Sequence, residues 1–401
     1  MAGVAGTNIV NSGLVFHFDL ENSVKSWKGK PTTNIITSEG IAGMSGITYT
    51  YVGMDDGWKK YSISGTWNSG TYPFSFRINH ASFSGGVAYS ARCLLKTNVI
   101  SKFATFAGLN YVNDPNMVNG GTVTTRSLGK DKKDGFEIWE SRREGFIYST
   151  GYANPTTNQT GYINSRPTAN GVVFNASTDF VWVKEIQVEQ GSFCTRYVNG
   201  VRLDTATIKD ISRKKLSISP ANMTYRKDDT PTFDGTNGYI NCGVIPEIGA
   251  STTQFTASVW LKSQSQSARC ILENGTNHTT NTFYMFQENA TYFTFEVYGT
   301  NYDVVYANFP YQLNTWYNLV GVWSSGNRVE FYANGVNVSG TRGGVVQTSV
   351  RNGNTNMMVG ARAGTSYFFQ GEIPEVKIYN KALTAKEIKQ NFEATRVKYG
   401  I

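Results

Sequence analysis

The chain is poor in almost everything that marks an enzyme or a membrane protein. It has four cysteines and three histidines in 401 residues. Cys93, Cys194, Cys242 and Cys270 stand far apart with no C-x-x-C spacing, which argues against a zinc site or a dense disulfide framework, so they read as buried thiols. No apolar run approaches the ~18 residues of a membrane span. The opening, MAGVAGTNIVNSG, has neither a basic segment nor an apolar stretch of signal-peptide length, so synthesis and folding in a cytoplasm are expected. G-x-x-x-x-G-K-[ST], dinucleotide glycine patterns and G-x-S-x-G are all missing. Charged residues are only 16%, and the 37 Lys and Arg exceed the 29 Asp and Glu by a thinly spread +8. The one dense basic cluster, Arg213-Lys214-Lys215, is narrower than a nucleic-acid stripe and reads as a solvated loop.

What is abundant points to β-structure. Forty-one Gly, 23 Phe and 23 Tyr suit many short strands joined by tight turns, and the length suits two domains. In the C-terminal half Phe255, Ala257, Val259 and Leu261 alternate with Thr256, Ser258, Trp260 and Lys262. WYNLVGVW (316–323) and RVEFYANGVNVSG (328–340) follow, with Asn334-Gly335 as a two-residue hairpin turn. Further strands are expected over 71–79, 87–95, 134–143, 144–150, 171–177 and 180–189. Near the end, Ile373, Val376, Ile378 and Tyr379 make one more strand, and the period then changes to 3.6. Thr384 and Glu387 form a T-x-x-E capping box with Leu383 and Ile388 as its staple, which predicts a helix over 384–395 that plugs one end of a sandwich. Pro374 removes a ladder donor, so that strand is expected at an edge or with a bulge.

Several of these segments resemble a known family. GEIPEVKIYNKALTAKEIKQNFEATRVKYGI (371–401), the WYNLVGVW…YANG hairpin and FDGTNGYINCG (233–243) are similar to laminin-G-like, concanavalin A-like jelly rolls of tailed-bacteriophage structural proteins. Ser12–Asp19 resembles the opening strand of the same family. SWKGKPTTNI (26–35) and VWVKEIQVEQGSFCTRYVNGVR (181–202) resemble the two ends of a carbohydrate-binding-module-like jelly roll. The expectation is an all-β chain of two antiparallel sandwiches plus one short C-terminal helix. Residues 1–25 would donate a first strand to an outer domain completed by 203–401, with 26–202 inserted, as surface loops allow. The resemblance implies a non-enzymatic virion surface protein, a capsid decoration, collar or tail-fibre component that adheres to host polysaccharide. It also implies contact with other virion proteins and homo-oligomers, trimers most often, without nucleic acid or membrane insertion. A glycan-processing enzyme or its accessory region, and a purely architectural virion protein, are the alternatives.

Candidate chemistry is sparse. Glycan hydrolysis needs two carboxylates about 5 to 9.5 Å apart, and the nearest imitation is Glu137, Glu140 and Glu144, of which the first two would point to opposite faces of a strand. His17, His80 and His278 occupy unrelated contexts, and His17 reads as a packed or edge residue. The family resemblance implies that calcium could be held by oxygen ligands, with Asp19, Asp234 and Glu372 as weak candidates; Gly238 and Pro374 replace two acids of the family pattern, and no other cofactor is expected. Sugars stack on flat rings, so Trp58, Trp67, Tyr72 and Tyr302, all in loop-like settings, are the candidate glycan contacts.

Overall fold

The computed structural model describes residues 8–22, 25–29, 32–33, 36–42, 46–68, 75–80, 84–111, 117–148, 161–195, 197, 201–202, 207–226, 230–275, 282–287, 289, 292–307, 309–351 and 355–401. Contacts divide the chain into an outer unit, Met1–Pro31 with Leu203–Ile401, and a middle unit, Thr32–Arg202. The fold is mostly β with one short C-terminal α-helix, as the strand-period alternation and turn residues require.

In the outer unit two eight-stranded sheets face each other. The first runs Thr224–Tyr225, Pro231–Asp234, Gln370–Tyr379, Gln254–Ser263, Trp316–Ser324, Glu330–Ala333, Val336–Asn337. Leu14–Asp19 also pairs antiparallel with Gln370–Tyr379, from Leu14 opposite Tyr379 to Asp19 opposite Glu375. The second runs Ser219–Ala221, Tyr239–Val244, Asn356–Val359, Arg269–Asn274, Phe283–Gln287, Phe293–Tyr298, Tyr302–Ala307, Ser339–Gly344. Phe255, Ala257, Val259 and Leu261 all point into the shared core, where Phe255 meets Phe283, Phe295 and Trp323. Each such ring contributes about 1.5–3 kcal/mol. Packing is close enough to dictate a glycine: a Cβ on Gly321 would stand 2.4 Å from the Phe295 ring.

Of two local expectations, the bulge at Pro374 is present and the place of the helix changes. Gln370–Tyr379 is an interior strand, flanked on both sides, and the register slips opposite Trp260 and Lys262. That bulge accommodates Pro374, whose carbonyl accepts from the Leu20 N–H at 2.7 Å. The helix Ala385–Thr395 has its capping box at Thr384 and Glu387, but it lies across the outer face of the first sheet instead of closing an end. Leu383 and Ile388 pack on Val320, Val322, Tyr332 and Tyr379. Trp260 stacks on Phe392 and Tyr399, with centroids 5.8 and 4.1 Å away, and its indole N–H donates to Thr395 Oγ1 at 2.9 Å.

The middle unit has an eight-stranded sheet containing, in order, Thr122–Lys130, Glu137–Tyr148, Ala88–Thr97, Phe180–Gln190, Trp58–Thr66 and Val173–Phe174, with Ile47–Asp55 and Met117–Asn119 alongside. A four-stranded sheet of Ile36–Ala42, Ser75–His80, Gly161–Pro167 and Phe103–Tyr111 accompanies it. The runs 134–143 and 144–150 form one twelve-residue strand, Glu137–Tyr148, because Gly145 at φ 72 absorbs a bulge where a break was expected. All four cysteines are buried, and burial pushes the thiols of Cys194, Cys242 and Cys270 up.

Candidate functional site

Two of the four candidate rings are not surface rings. Trp58 opens the strand Trp58–Thr66, is 4% exposed and packs with Leu94 and Trp182 under the Lys96 ammonium. Trp67 is also 4% exposed and belongs to the middle unit's main core. Trp58 directly follows the Asp56-Gly57 turn, and Trp67 stands just past the end of the same strand, its N–H donating to Val172 O at 2.9 Å, so both rings are carried inward. Tyr72 lies outside the described residues. Tyr302, at the start of Tyr302–Ala307, is 43% exposed and keeps its ring available.

Around Tyr302 the second sheet of the outer unit carries aromatic side chains on the face turned away from the core. Phe283–Gln287 is aromatic on both sides. Phe283 and Met285 face the core, while Tyr284 and Phe286 face outward and stack at 4.8 Å. Phe286 meets Tyr367 at 5.3 Å, and on the neighbouring strand Tyr298 meets Tyr302 at 6.3 Å. Tyr284, Phe286 and Tyr298 form a buried floor, and Tyr302 and Tyr367 rise from it, each more than two-fifths exposed. Arg362 stands 5.7 Å from the Tyr284 and Tyr367 rings, and Arg351 5.4 Å from Tyr298.

The loop that presents Arg362 and Tyr367 is held rigidly. Ala363 and Tyr367 sit in the left-handed region, at φ 52 and 50, a conformation that costs a non-glycine residue about 1 kcal/mol or more. The surroundings impose it. Arg362 N–H donates to Ser366 O at 2.8 Å, Phe369 N–H to Gly360 O at 2.8 Å, and Cys270 N–H to Tyr367 O at 2.8 Å. Glu273, fully buried, accepts from Ala363 N–H at 2.8 Å and lies 3.9 Å from the Arg362 Nε. Sequence reading missed Arg362, Tyr367, Tyr284 and Tyr298. The signal lay in NTFYMFQ, whose aromatic residues on both parities exceed what a strand with one buried face needs.

Such a surface stacks and donates hydrogen bonds, and its buried tyrosines do not ionise near neutral pH. Burial first, then nearby charge, pushes the Tyr284 and Tyr298 hydroxyls far up, so both stay protonated. The Tyr298 hydroxyl donates to Glu296 at 2.5 Å. The carboxylates read from sequence are also committed. Glu140 is buried and meets Arg92, Arg126 and Arg142 at 3.0, 2.6 and 2.9 Å; Glu137 accepts from Ser127, and Glu144 from Cys194 N–H at 3.0 Å.

The calcium candidates do not share a site. Asp234 accepts from the N–H groups of Thr236 and Asn237, Glu372 meets Arg226 and Lys262 at 2.7 and 2.6 Å, and Asp19 meets Lys398 at 2.5 Å. Among the described residues the group able to offer three ligand atoms is His17, Asp19 and Glu375, within 4.8 Å of one another. Those donors do not fit a cation. Glu375 already meets Lys377 at 2.6 Å and His17 at 3.0 Å, so the ammonium groups of Lys377 and Lys398 balance both carboxylates. His17 is thus a packed residue. The His80 side chain and His278 lie outside the described residues.

Residues 234–389 match the sequence model of the concanavalin A-like lectin/glucanases superfamily. The outer unit carries a domain of that superfamily. Its ring-floored face belongs to the matched segment. No curated protein matches the chain. Among solved structures, a native heptameric SAP-like pentraxin from Limulus polyphemus is 16% identical, over 39% of this chain and 78% of that one, with a TM-score of 0.31. The botulinum neurotoxin type G receptor binding domain is 10% identical over 47% of this chain and 48% of that one, TM-score 0.36. The serotype D binding domain is 12% identical over 47% and 49%, TM-score 0.38. The chain thus spans about half the length of those neurotoxin domains.

Proposed function

We propose that this protein is a non-enzymatic surface component of a tailed-bacteriophage virion that adheres to host-surface glycans through the concanavalin A-like domain. The observation that carries the adhesive part is the ring-floored face. Two exposed tyrosines stand over buried rings, with Arg362 fixed between two of them by a loop that bears backbone strain. A pyranose presents an apolar C–H face to such rings and hydroxyls to a guanidinium. The virion part rests on the resemblance of 371–401, the central hairpin and 233–243 to phage proteins, and carries with it a virion-surface location, virion partners and a homo-oligomer.

Retention on immobilised host polysaccharides tests adhesion. The expected result is binding without turnover that falls at least about tenfold in a Tyr302→Ala/Tyr367→Ala variant. Equal retention of variant and parent would defeat the assignment to this face, and a blank glycan array with capture of capsid or tail subunits would favour a purely architectural role. Immunogold labelling of virions tests the location.

One observation favours hydrolysis as a second reading. Glu273 and Glu296 both stand opposite Tyr284, on the strands to either side, so their backbones are about 10 Å apart on one face. Both are engaged, with Ala363 and Tyr298, which is why adhesion is preferred. Release of reducing ends from the same polysaccharides would reverse that preference.

A further inference from the structure

The main sheet of the middle unit ends on one side at Ile47–Asp55, which pairs along its length with Trp58–Thr66. Phe180–Gln190 and Val173–Phe174 take the other side of Trp58–Thr66, so the far edge of Ile47–Asp55 has no paired strand among the described residues. The ladder shows which backbone groups point there. Ile63 N–H donates away from the edge strand, to Asp179 O at 2.9 Å, and in an antiparallel ladder that direction alternates from residue to residue. Ile47 and Tyr51 stand opposite Gly65 and Tyr61, two residues to either side of Ile63, and therefore aim N–H and C=O at the free edge.

That edge is also bare in composition. From Ile47 to Met54 the strand reads ITYTYVGM, with no charge and no proline, and Tyr51, Val52 and Met54 are each more than half exposed. Sheets avoid stray pairing by placing charge or proline on an edge, shortening it or covering it, and the other edges of the eight-stranded sheets do so. Thr122–Lys130, across the same sheet, carries Arg126 and Lys130. Ser219–Ala221 holds Pro220, Ser339–Gly344 holds Arg342, and Thr224–Tyr225 and Val336–Asn337 are two residues long. Leu14–Asp19 is covered, because Asp210 accepts from His17 N–H and Ser212 donates to Val15 O, both at 3.1 Å. A bulge between Tyr51 and Gly53 limits the regular ladder of the bare edge to Ile47–Tyr51.

Charge selects the occupant. The chain carries +8, so two copies repel over much of their surface, and an uncharged strand is where they meet without like charges opposed. An acidic partner would be served better by Arg126 and Lys130 on the opposite edge. Antiparallel pairing of a strand with itself is also what a twofold axis generates. We infer that Ile47–Tyr51 pairs antiparallel with the same strand of a second copy, making one continuous sheet across a symmetric dimer. Ile47 of each copy exchanges backbone bonds with Tyr51 of the other, Thr48 faces Thr50, and Tyr51 and Val52 reach the start of the copy's strand. The inference rests on the homo-oligomer proposed above and gives it a surface and a symmetry.

So short a ladder sits at the low end of interface sizes, about 1,200 Å2 or less, and a dissociation constant in the micromolar range is expected. Sedimentation equilibrium on the full chain between about 1 and 200 µM tests this. Thr50→Lys and Thr50→Glu, at an exposed side chain, should each weaken dimerisation about tenfold or more, and an equimolar mixture of the two should restore it. Tyr51→Pro removes an N–H aimed at the copy and none from the strand's own ladder, and should weaken it alike. Amide exchange supplies a readout without variants: at Ile47 and Tyr51 it should slow as the parent is concentrated. A monomer throughout the range, or exchange at both residues that ignores concentration, would overturn the inference. A trimer, or any oligomer that all three variants leave intact, would overturn this surface while the homo-oligomer reading stands.

Discussion

Each unit places charged side chains on a sheet face, but the two do so to different ends. In the outer unit His17 and Asp19 from the first strand, Glu375 and Lys377 from the closing strand, and Lys398 after the helix form one cluster, covered by Trp260 and Tyr399. Its members lie hundreds of residues apart, so the cluster ties distant segments together. In the middle unit Lys96, itself 2% exposed, is held by Asp131 and Asp134 at 2.7 and 2.6 Å, and both acids still reach water. Glu140 likewise meets three arginines, one of them well exposed. The outer cluster fails when a buried member goes, because of its charges only Lys398, whose side chain is 37% exposed, has solvent to turn to. An open one can rehydrate, and so can be spent on binding.

The strongest way to break that contrast is to delete residues 1–20. Val15, Phe16, Phe18 and Leu20 are all at most 4% exposed, and at about 1.5–3 kcal/mol each their loss approaches the whole stability of a domain. Hydrogen exchange should then open Gln370–Tyr379 while leaving Ala88–Thr97 protected. Unchanged protection of Gln370–Tyr379 would show that the first strand is dispensable.

Single substitutions come next. Glu375→Ala leaves Lys377 buried without its partner and should cost about 3–5 kcal/mol, whereas Lys96→Met retains the packing stem and leaves two hydrated acids, costing about 1–2 kcal/mol. Denaturant titrations followed by unit-specific exchange measure both, and equal losses would remove the distinction between enclosed and open clusters.

Acid should separate the units too. Burial holds His17 below its usual 6.5 despite its hydrogen bond to Glu375. The unfolded chain therefore takes up that proton first; the stabilisation is complete above pH 6.5 and fades as pH falls below it. Burial alone would raise Glu375, but Lys377, the His17 hydrogen bond and Lys398 overcome it and hold the carboxyl well below 4.5, so its contribution fades on acidification below pH 4.5. In the Lys96 and Glu140 clusters of the middle unit the shifted groups that titrate in acid are carboxylates, Asp131 and Glu140, both lowered. Exchange in Gln370–Tyr379 should accelerate between about pH 7 and 5.5 while Ala88–Thr97 does not change, and His17→Gln should abolish that slope.

Sequence legibility follows the range of the interactions. The helix and its cap were readable because Thr384 and Glu387 are three residues apart and satisfy each other, and the alternation from Phe255 to Leu261 named its own buried face. Trp58 was misjudged because Asp-Gly marks a turn without saying on which side of it the ring falls. Arg362 and Tyr367 were invisible because Glu273 and Cys270, about ninety residues away, shape their loop. Glu140 offered a carboxylate to sequence reading, but its three guanidinium partners come from two other strands and its own.

The smallest expected effect is the most informative about function. Tyr302→Ala removes a ring that is 43% exposed and touches Tyr298 at 6.3 Å, so stability should change by less than about 0.5 kcal/mol. Trp67→Ala, by contrast, should cost about 3–5 kcal/mol because that ring fills the middle unit's core. If Tyr302 belongs to a glycan-stacking face, its loss lowers retention on host polysaccharide several-fold while the melting curve stays in place. A shifted melting curve with unchanged retention would instead assign the ring to packing, and the enclosed and open parts of the molecule would no longer differ in what they are for.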